Sequence, residues 1–347
     1  SLNTTGGSTG EPVSFYQDRR YWDHMVAAEL LVTGWWGVPP GTRTAGLWGA
    51  DREFGEMPLK ERLALRLQRL RGMNAFRFDE ATMAAFAEEL CRWRPGYVLG
   101  YAGVLDQFAK FLLDRGMGGI RPRAVRSSAE ILQPDARERI GRAFAAPVYD
   151  FYGCREVNCI AAECTAHEGL HVLAYGRILE LLDADSRPVA PGETGRVVVT
   201  DLFNEGMPLL RYATGDLAVP APGACSCGRG GLRLSRIVGR ESDCVITPEG
   251  KRLHGEVFSH LFYHVAGVRR FQVVQAEFGV LEVLVEAETR AAAPDLRPIG
   301  REVERLVGPS MRVEIRLVGS IPPAPSGKQK FVISRVAGTP HNPSSGA

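Results

Sequence analysis

The sequence predicts an α/β fold: a large α/β portion that runs into a β-subdomain, then a small, mobile α+β domain at the C-terminal end. Three observations predict it. Helix-like and strand-like runs alternate over residues 14–152, short β-rich runs split by turn residues take over from about Gly169, and a second mixed stretch follows Arg240. The chain has 347 residues, 45% hydrophobic and 24% charged, which is long enough for a large core and two domains. The expected boundaries are 1–238 and 239–337, with a flexible tail over 338–347.

The elements follow in order. "SFYQD" reads as a short strand, and "RRYWDHMVAAELLVTGWWG" has helical periodicity. "TRTAGLWG" is a strand of small, β-branched and aromatic residues that leaves through a glycine turn. In "PLKERLALRLQRLRG", Leu59, Leu63, Leu65, Leu67 and Leu70 give an amphipathic helix. "DEATMAAFAEELCRWRPG" has an acidic start and a Pro-Gly stop, so it reads as a helix with both boundaries. The strand "YVLGY", the helix "AGVLDQFAKFLLDRG", the strand and loop "RAVRSSAEI", the helix "PDARERIGRAFA" and the strand "PVYDFYG" complete a largely parallel α/β arrangement. Beyond it, turns at "RPVAPGETG" and "NEG" divide short β runs, and "GACSCGRGG" is a turn-rich insert. "DCVITPEGKRL" resembles a hairpin turning at Glu249 and Gly250. A helix ("GEVFSHLFYHV"), two strands ("RFQVVQAE", "VLEVLVEAE"), a helix ("LRPIGREVERLVG") and a strand ("RVEIRLVG") follow it.

The net charge of +2 gives no electrostatic reason to expect nucleic acid as the main partner. No apolar run approaches the length of a membrane span. The seven cysteines are an odd, bunched set with no signal peptide ahead of them, which points to a reduced, cytoplasmic compartment.

The stretch "NTTGGSTGEP" near the start is either a flexible segment or a loop that wraps phosphate. It matches neither a Walker loop nor G-x-G-x-x-G. Gly6, Gly7 and Gly10 permit close backbone approach, while Thr5, Ser8 and Thr9 add hydroxyl donors. Downstream stand "SSAE" (Ser127 to Glu130), "YGCRE" (Tyr152 to Glu156), "RYATGD" (Arg211 to Asp216), "GRESD" (Gly239 to Asp243) and "PSGK" (Pro325 to Lys328). Taken singly, Glu156 reads as a surface carboxylate, Asp216 as a turn cap and Lys328 as a solvated lysine with Lys330 as a competitor. In this order, the six segments resemble the signatures of the adenylate-forming acyl-CoA synthetase superfamily, in its phenylacetate-CoA ligase and CapK-like branch.

The resemblance implies a role for each matching residue. Thr5, Gly6, Gly7, Ser8, Thr9 and Gly10 would wrap the β- and γ-phosphates of ATP. Ser128, Ala129 and Glu130 would line the adenine and α-phosphate side, Tyr152 would lie against the adenine, and Gly153, Arg155 and Arg240 would complete the nucleotide contacts. Glu156 would help hold Mg²⁺, Asp216 would accept both ribose hydroxyls, and Lys328 would stabilise charge at the α-phosphorus. Ser242 falls at the family's hinge, where many relatives have Asp or Lys. The implied reaction joins a small carboxylic acid to AMP with release of pyrophosphate, then passes the acyl group to coenzyme A. Transfer to an amine, hydroxyl or carrier protein, or a non-catalytic nucleotide-binding role, are the rival readings. Relatives carry a longer portion ahead of the loop, where this sequence has four residues, so the α/β portion is expected to be shortened at its N-terminus. Glu11 and Arg155 also depart from the common family residues, Lys and Thr. A homodimer is the assembly to test.

Cys164, His171, Cys225 and Cys227 supply three thiols and an imidazole, a set that suits a closed tetrahedral zinc site. His167 competes with His171, and some relatives have a similar Cys…His…Cys-x-Cys pattern. Cys154 and Cys159 read as core or pocket residues, Cys91 as helical and Cys244 as buried. Trp35, Trp36 and Tyr101 are candidates either for an acid pocket or for the core.

Overall fold

Asp18 starts the first helix, α1 (Arg19–Trp35). Its carboxylate accepts the Tyr21 amide at 2.8 Å, which satisfies one of the orphan donors of the first turn. Ahead of it, β1 (Leu2–Thr4) and β2 (Ser14–Tyr16) pair antiparallel, with Thr4 opposite Ser14. The structure is a computed structural model that describes residues 1–4, 14–48, 67, 69–75, 79–241, 244–262, 265–287, 294–322 and 331–336. The glycine loop (5–10), Ser242, Lys328, most of the leucine-rich run at 58–72 and the tail at 338–347 lie outside the described residues.

Five parallel strands follow: β3 (Thr44–Leu47), β4 (Leu70–Met73), β5 (Tyr97–Tyr101), β6 (Ala124–Ser128) and β7 (Val148–Tyr152). They pair β4 to β3, β3 to β5, β5 to β6 and β6 to β7. Between them run α2 (Glu80–Trp93), α3 (Ala102–Asp114) and α4 (Pro134–Phe144). The strand period of two splits their side chains cleanly. Val98, Val125 and Val148 face a core with Leu90, Leu105, Phe108, Ile140 and Phe144 from these helices, whereas Tyr97, Ala124 and Tyr149 face Ala28, Val32 and Trp36 of the α1 segment.

One expectation needs correction here. The helix read across 58–72 does not extend through Leu70, because Leu70–Met73 is β4, hydrogen-bonded beside β3. Tertiary pairing overrides the local leucine spacing.

The sheet reverses direction at β8 (Ala161–Glu163), which is antiparallel to β7. It continues through β9 (Leu170–Val172), β10 (Arg177–Leu182), β11 (Gly195–Asp201), β12 (Tyr212–Pro220) and β13 (Arg233–Arg240). All belong to one eleven-stranded sheet, in the order β10-β11-β12-β13-β9-β8-β7-β6-β5-β3-β4. The β-rich segment forms the antiparallel half of the same sheet. Gly169 shows how closely its strands approach: at φ +104°, a Cβ there would lie 2.3 Å from the Leu234 carbonyl oxygen.

The chain divides into two compact units, Ser1–Ile237 and Val238–Ala347. The second opens with the hairpin of β14 (Cys244–Ile246) and β15 (Arg252–His254), with Gly250 at φ +81° in its turn. Then come α5 (Gly255–Phe262), β16 (Val268–Gln275), β17 (Val280–Ala287), α6 (Arg297–Val307), β18 (Arg312–Val318) and β19 (Val332–Ser334). Its four-stranded sheet has the order β18-β17-β16-β19 over a core that includes Phe258, Val273, Val283 and Val303. Buried Gln275 accepts the Ile246 amide at 2.9 Å and donates to the Ile246 carbonyl at 2.7 Å, tying β14 to β16.

Candidate functional site

In an open α/β sheet, ligands bind beyond the carboxyl ends of the parallel strands, where the strand order changes sense. Here those ends carry the motif residues. Buried Ser128 closes β6, and Ala129 follows at φ +66°. The Glu130 carboxylate turns back to accept the Gly103 amide at 2.7 Å, so it supports the start of α3. Buried Tyr152 closes β7, next to the parallel-to-antiparallel switch. Gly153 follows where a Cβ would lie 2.9 Å from the Cys159 amide nitrogen.

Two tyrosine–carboxylate bonds organise the site. The Tyr152 hydroxyl donates to Asp216 Oδ2 at 2.7 Å, and the Tyr212 hydroxyl donates to Glu156 Oε1 at 2.8 Å. Thr214 Oγ1 accepts the Asp216 amide at 3.1 Å. Burial, and next the Asp216 charge, hold the Tyr152 phenol well above its ordinary range, so it stays a donor. Burial likewise pushes the Cys154 thiol up, with the Glu156 charge adding to it, which removes this cysteine as a thiolate nucleophile.

The base of the β1–β2 hairpin is tied to the same segment. Arg155 Nη1 donates to the Thr4 carbonyl at 3.2 Å. Gln17 Nε2 donates to the carbonyls of Arg155 (3.0 Å) and Glu156 (3.3 Å), while Asn3 donates to Gln17 Oε1 at 2.6 Å. Thr4 and Gln17 are thus both bonded to the Arg155–Glu156 segment. Arg240, half-buried, ends β13.

Tyr212, Thr214 and Gln17 are the site residues that sequence reasoning missed. The first two had a readable signal, because they stand with Asp216 in the single run "RYATGD". Gln17 had none. Trp36 is buried in the core and donates through Nε1 to the Glu163 carbonyl at 2.8 Å. Tyr101, also buried, packs against Trp48 with ring centroids 4.3 Å apart at the ends of β5 and β3.

A second constellation lies in the antiparallel half. Cys164 follows β8, His171 sits in β9, and Cys225 and Cys227 stand in the turn between β12 and β13. Their ligand atoms all lie within 4.8 Å of one another. Cys164 and Cys225 sulfurs are 3.7 Å apart, and Cys227 Sγ is 3.4 Å from His171 Nε2. A tetrahedral zinc with Zn–S of about 2.3 Å and Zn–N of about 2.0 Å has edges of about 3.8 and 3.5 Å. Those two edges match a tetrahedral zinc, and the remaining pairs stay within 4.8 Å, so the four residues fit the ion. The Ala166 and Arg229 amides point at Cys164 and Cys227 sulfurs, each at 3.4 Å, as donors suited to thiolates. His167 goes elsewhere: its Nδ1 lies 3.3 Å from Glu163 Oε2 and its ring stacks on Tyr149.

Residues 245–335 match the family model described as the CapK C-terminal domain. The phenylacetate-coenzyme A ligase of Thermus thermophilus is 28% identical over 317 residues, spanning 87% of this chain and 68% of that protein. Protein CapK of Staphylococcus aureus is 22% identical over 339 residues, spanning 96% of this chain and 74% of that protein. Among solved structures, 2-hydroxyisobutyryl-CoA ligase in the postadenylation state superimposes with a TM-score of 0.74 at 19% identity, over 96% of this chain and 73% of that one. The chain is a homologue of the phenylacetate-CoA ligases and CapK, and its fold is that of the adenylate-forming ligases.

Proposed function

We propose that the chain activates a small carboxylic acid with ATP, releasing pyrophosphate, and passes the acyl group from the acyl-adenylate to coenzyme A. The observation that carries this reading is the pair of tyrosine–carboxylate bonds. They hold Glu156 and Asp216 at the carboxyl end of the parallel strands, beside the base of the glycine-loop hairpin. Asp216 suits the two ribose hydroxyls, since a carboxylate offers two acceptor oxygens. Tyr152 would lie along the adenine while its hydroxyl fixes Asp216. Residues 5–10, with Ser128, Ala129, Gly153, Arg155 and Arg240, complete the proposed nucleotide contacts, and Glu130 acts through its hold on α3.

Glu156, a hard oxygen donor, would hold Mg²⁺, which neutralises phosphate charge when bound. Lys328 is the proposed catalytic lysine and Ser242 the hinge. Cys164, His171, Cys225 and Cys227 would hold a structural zinc that locks the β12–β13 turn to β8 and β9.

The test is acid-dependent pyrophosphate release across a panel of aromatic and aliphatic acids, for wild type, Asp216→Ala and Lys328→Ala. Wild-type turnover with at least one acid is expected, falling about 100-fold or more without Lys328. Measurable ATP binding with no acid-stimulated release would favour the non-catalytic nucleotide-binding reading. Acid-dependent release without consumption of coenzyme A thiol would favour another acyl acceptor.

A further inference from the structure

The entry end of the parallel sheet carries arginines that this reaction does not use. Arg43 and Arg69 each stand one residue before a strand, and the register sets them side by side, because Thr44 partners Leu70. Neighbouring strands lie about 4.8 Å apart. Both side chains are exposed. Among the described residues neither has a carboxylate partner, and Arg69 donates only to the Gly41 carbonyl, at 3.3 Å. Arg71 is paired with Glu89 at 2.9 Å and lies 5.5 Å over the Trp93 ring, which fixes both groups.

Arg43, Arg69, Leu70, Arg71 and Trp93 line a cavity of about 530 Å³. That volume falls within the range of small-molecule sites, roughly 300–1,000 Å³, and is far larger than an inorganic ion needs. Two guanidinium forks without a carboxylate partner among the described residues match a ligand with at least two negative charges and planar oxygen pairs. The indole supplies a wall for an aromatic ring. We propose that this cavity binds a nucleoside polyphosphate, with its phosphates on Arg43 and Arg69 and its base against Trp93. It is distinct from the candidate catalytic site. Ser128 and Tyr152 mark the opposite ends of five-residue strands, and such a strand rises about 16 Å.

The test is calorimetric titration of ADP into the full chain, comparing wild type with Arg43→Ala/Arg69→Ala. Wild type is expected to bind one more ADP per chain than the double variant, or to bind it at that site at least about 30-fold more tightly. Inorganic pyrophosphate, lacking the base, is expected to bind the wild-type site about tenfold more weakly than ADP. Because the readout is a difference between two proteins, it holds whether or not the adenylation site also takes ADP. An equal count and affinity in both proteins overturns the proposal, and equal affinity for ADP and pyrophosphate overturns the role of Trp93. Both arginines are exposed, so the variant is expected to keep the wild-type melting temperature. If it does not, Arg43→Gln/Arg69→Gln repeats the comparison with side-chain volume kept.

Discussion

Through its hydroxyl, Tyr152 would set the proposed ribose contact of Asp216 from behind. Its bond to Asp216 Oδ2, at 2.7 Å, is charge-assisted, and such bonds contribute about 1.5–3 kcal/mol. Tyr152→Phe keeps the ring proposed to lie along the adenine and removes this one hold on the carboxylate. The expected outcome is a KM for ATP raised about tenfold or more with kcat changed far less, read from steady-state kinetics; an unchanged KM would remove Asp216 from the ribose contact. Asp150 carries a different signal. Burial raises its carboxyl to about 7, with the Glu163 charge adding and Arg137 opposing. A folded-state value raised above the unfolded one means that its contribution to stability is complete below the ordinary carboxylate range and is lost as pH climbs to about 7. Asp150→Asn keeps the acceptor for the Phe151 amide and cannot ionise. Its stability advantage over wild type is therefore expected to grow from about pH 4 to about pH 7 and then level off, measured by urea unfolding. An advantage that is constant across this range contradicts the protonated carboxyl.

Elements fix what single residues cannot, and the α1 contact with β6 is the clearest case. Arg126 Nη1 reaches both Glu29 oxygens, at 2.6 and 2.7 Å, and the guanidinium lies 4.4 Å over the Phe151 ring. Glu29→Gln strips the buried cation of its partner and is expected to cost about 3 kcal/mol or more, while Glu29→Gln/Arg126→Leu is expected to recover much of that loss in the same unfolding assay. The Cys/His constellation works at this scale too. Metal analysis is expected to find about one zinc per chain. Its removal by a strong chelator is expected to cost on the order of 3 kcal/mol, about 6–12 °C of melting temperature for a unit of this size. A metal-free sample with an unshifted melting point would leave these four side chains unlinked by metal. Much of this was legible in the sequence, and the parts that were not have a common cause. Asp79 and Pro134 announced helix starts because caps are local. The choice of His171 over His167 was not local, since it depends on β9 pairing with both β8 and β13. For the same reason Leu70 read as helix: nothing within the leucine run records that β3 lies beside it.

At the scale of the whole molecule, the sequence placed a change of character near Arg240, because the hydrophobic pattern restarts there as a second mixed α/β run. It could not show that the earlier β-rich runs share one sheet with the parallel strands, since strand order is a long-range property. Each compact unit has its own buried core: Phe108, Phe144 and Leu105 are at the centre of one, Phe258, Val273 and Val283 of the other. Cores built this separately are expected to unfold separately, and the tryptophans make this measurable. All five (Trp22, Trp35, Trp36, Trp48 and Trp93) lie in the first unit, so tryptophan fluorescence reports that unit alone while far-ultraviolet dichroism reports both. Phe258 is fully buried, and Phe258→Ala removes a side chain of the kind that costs about 3–5 kcal/mol in a well-packed core. In urea, the variant is expected to lose part of its dichroism about 1–2 M earlier than wild type, with the fluorescence midpoint unmoved. A fluorescence midpoint that shifts in step would mean that the two units unfold as one cooperative body.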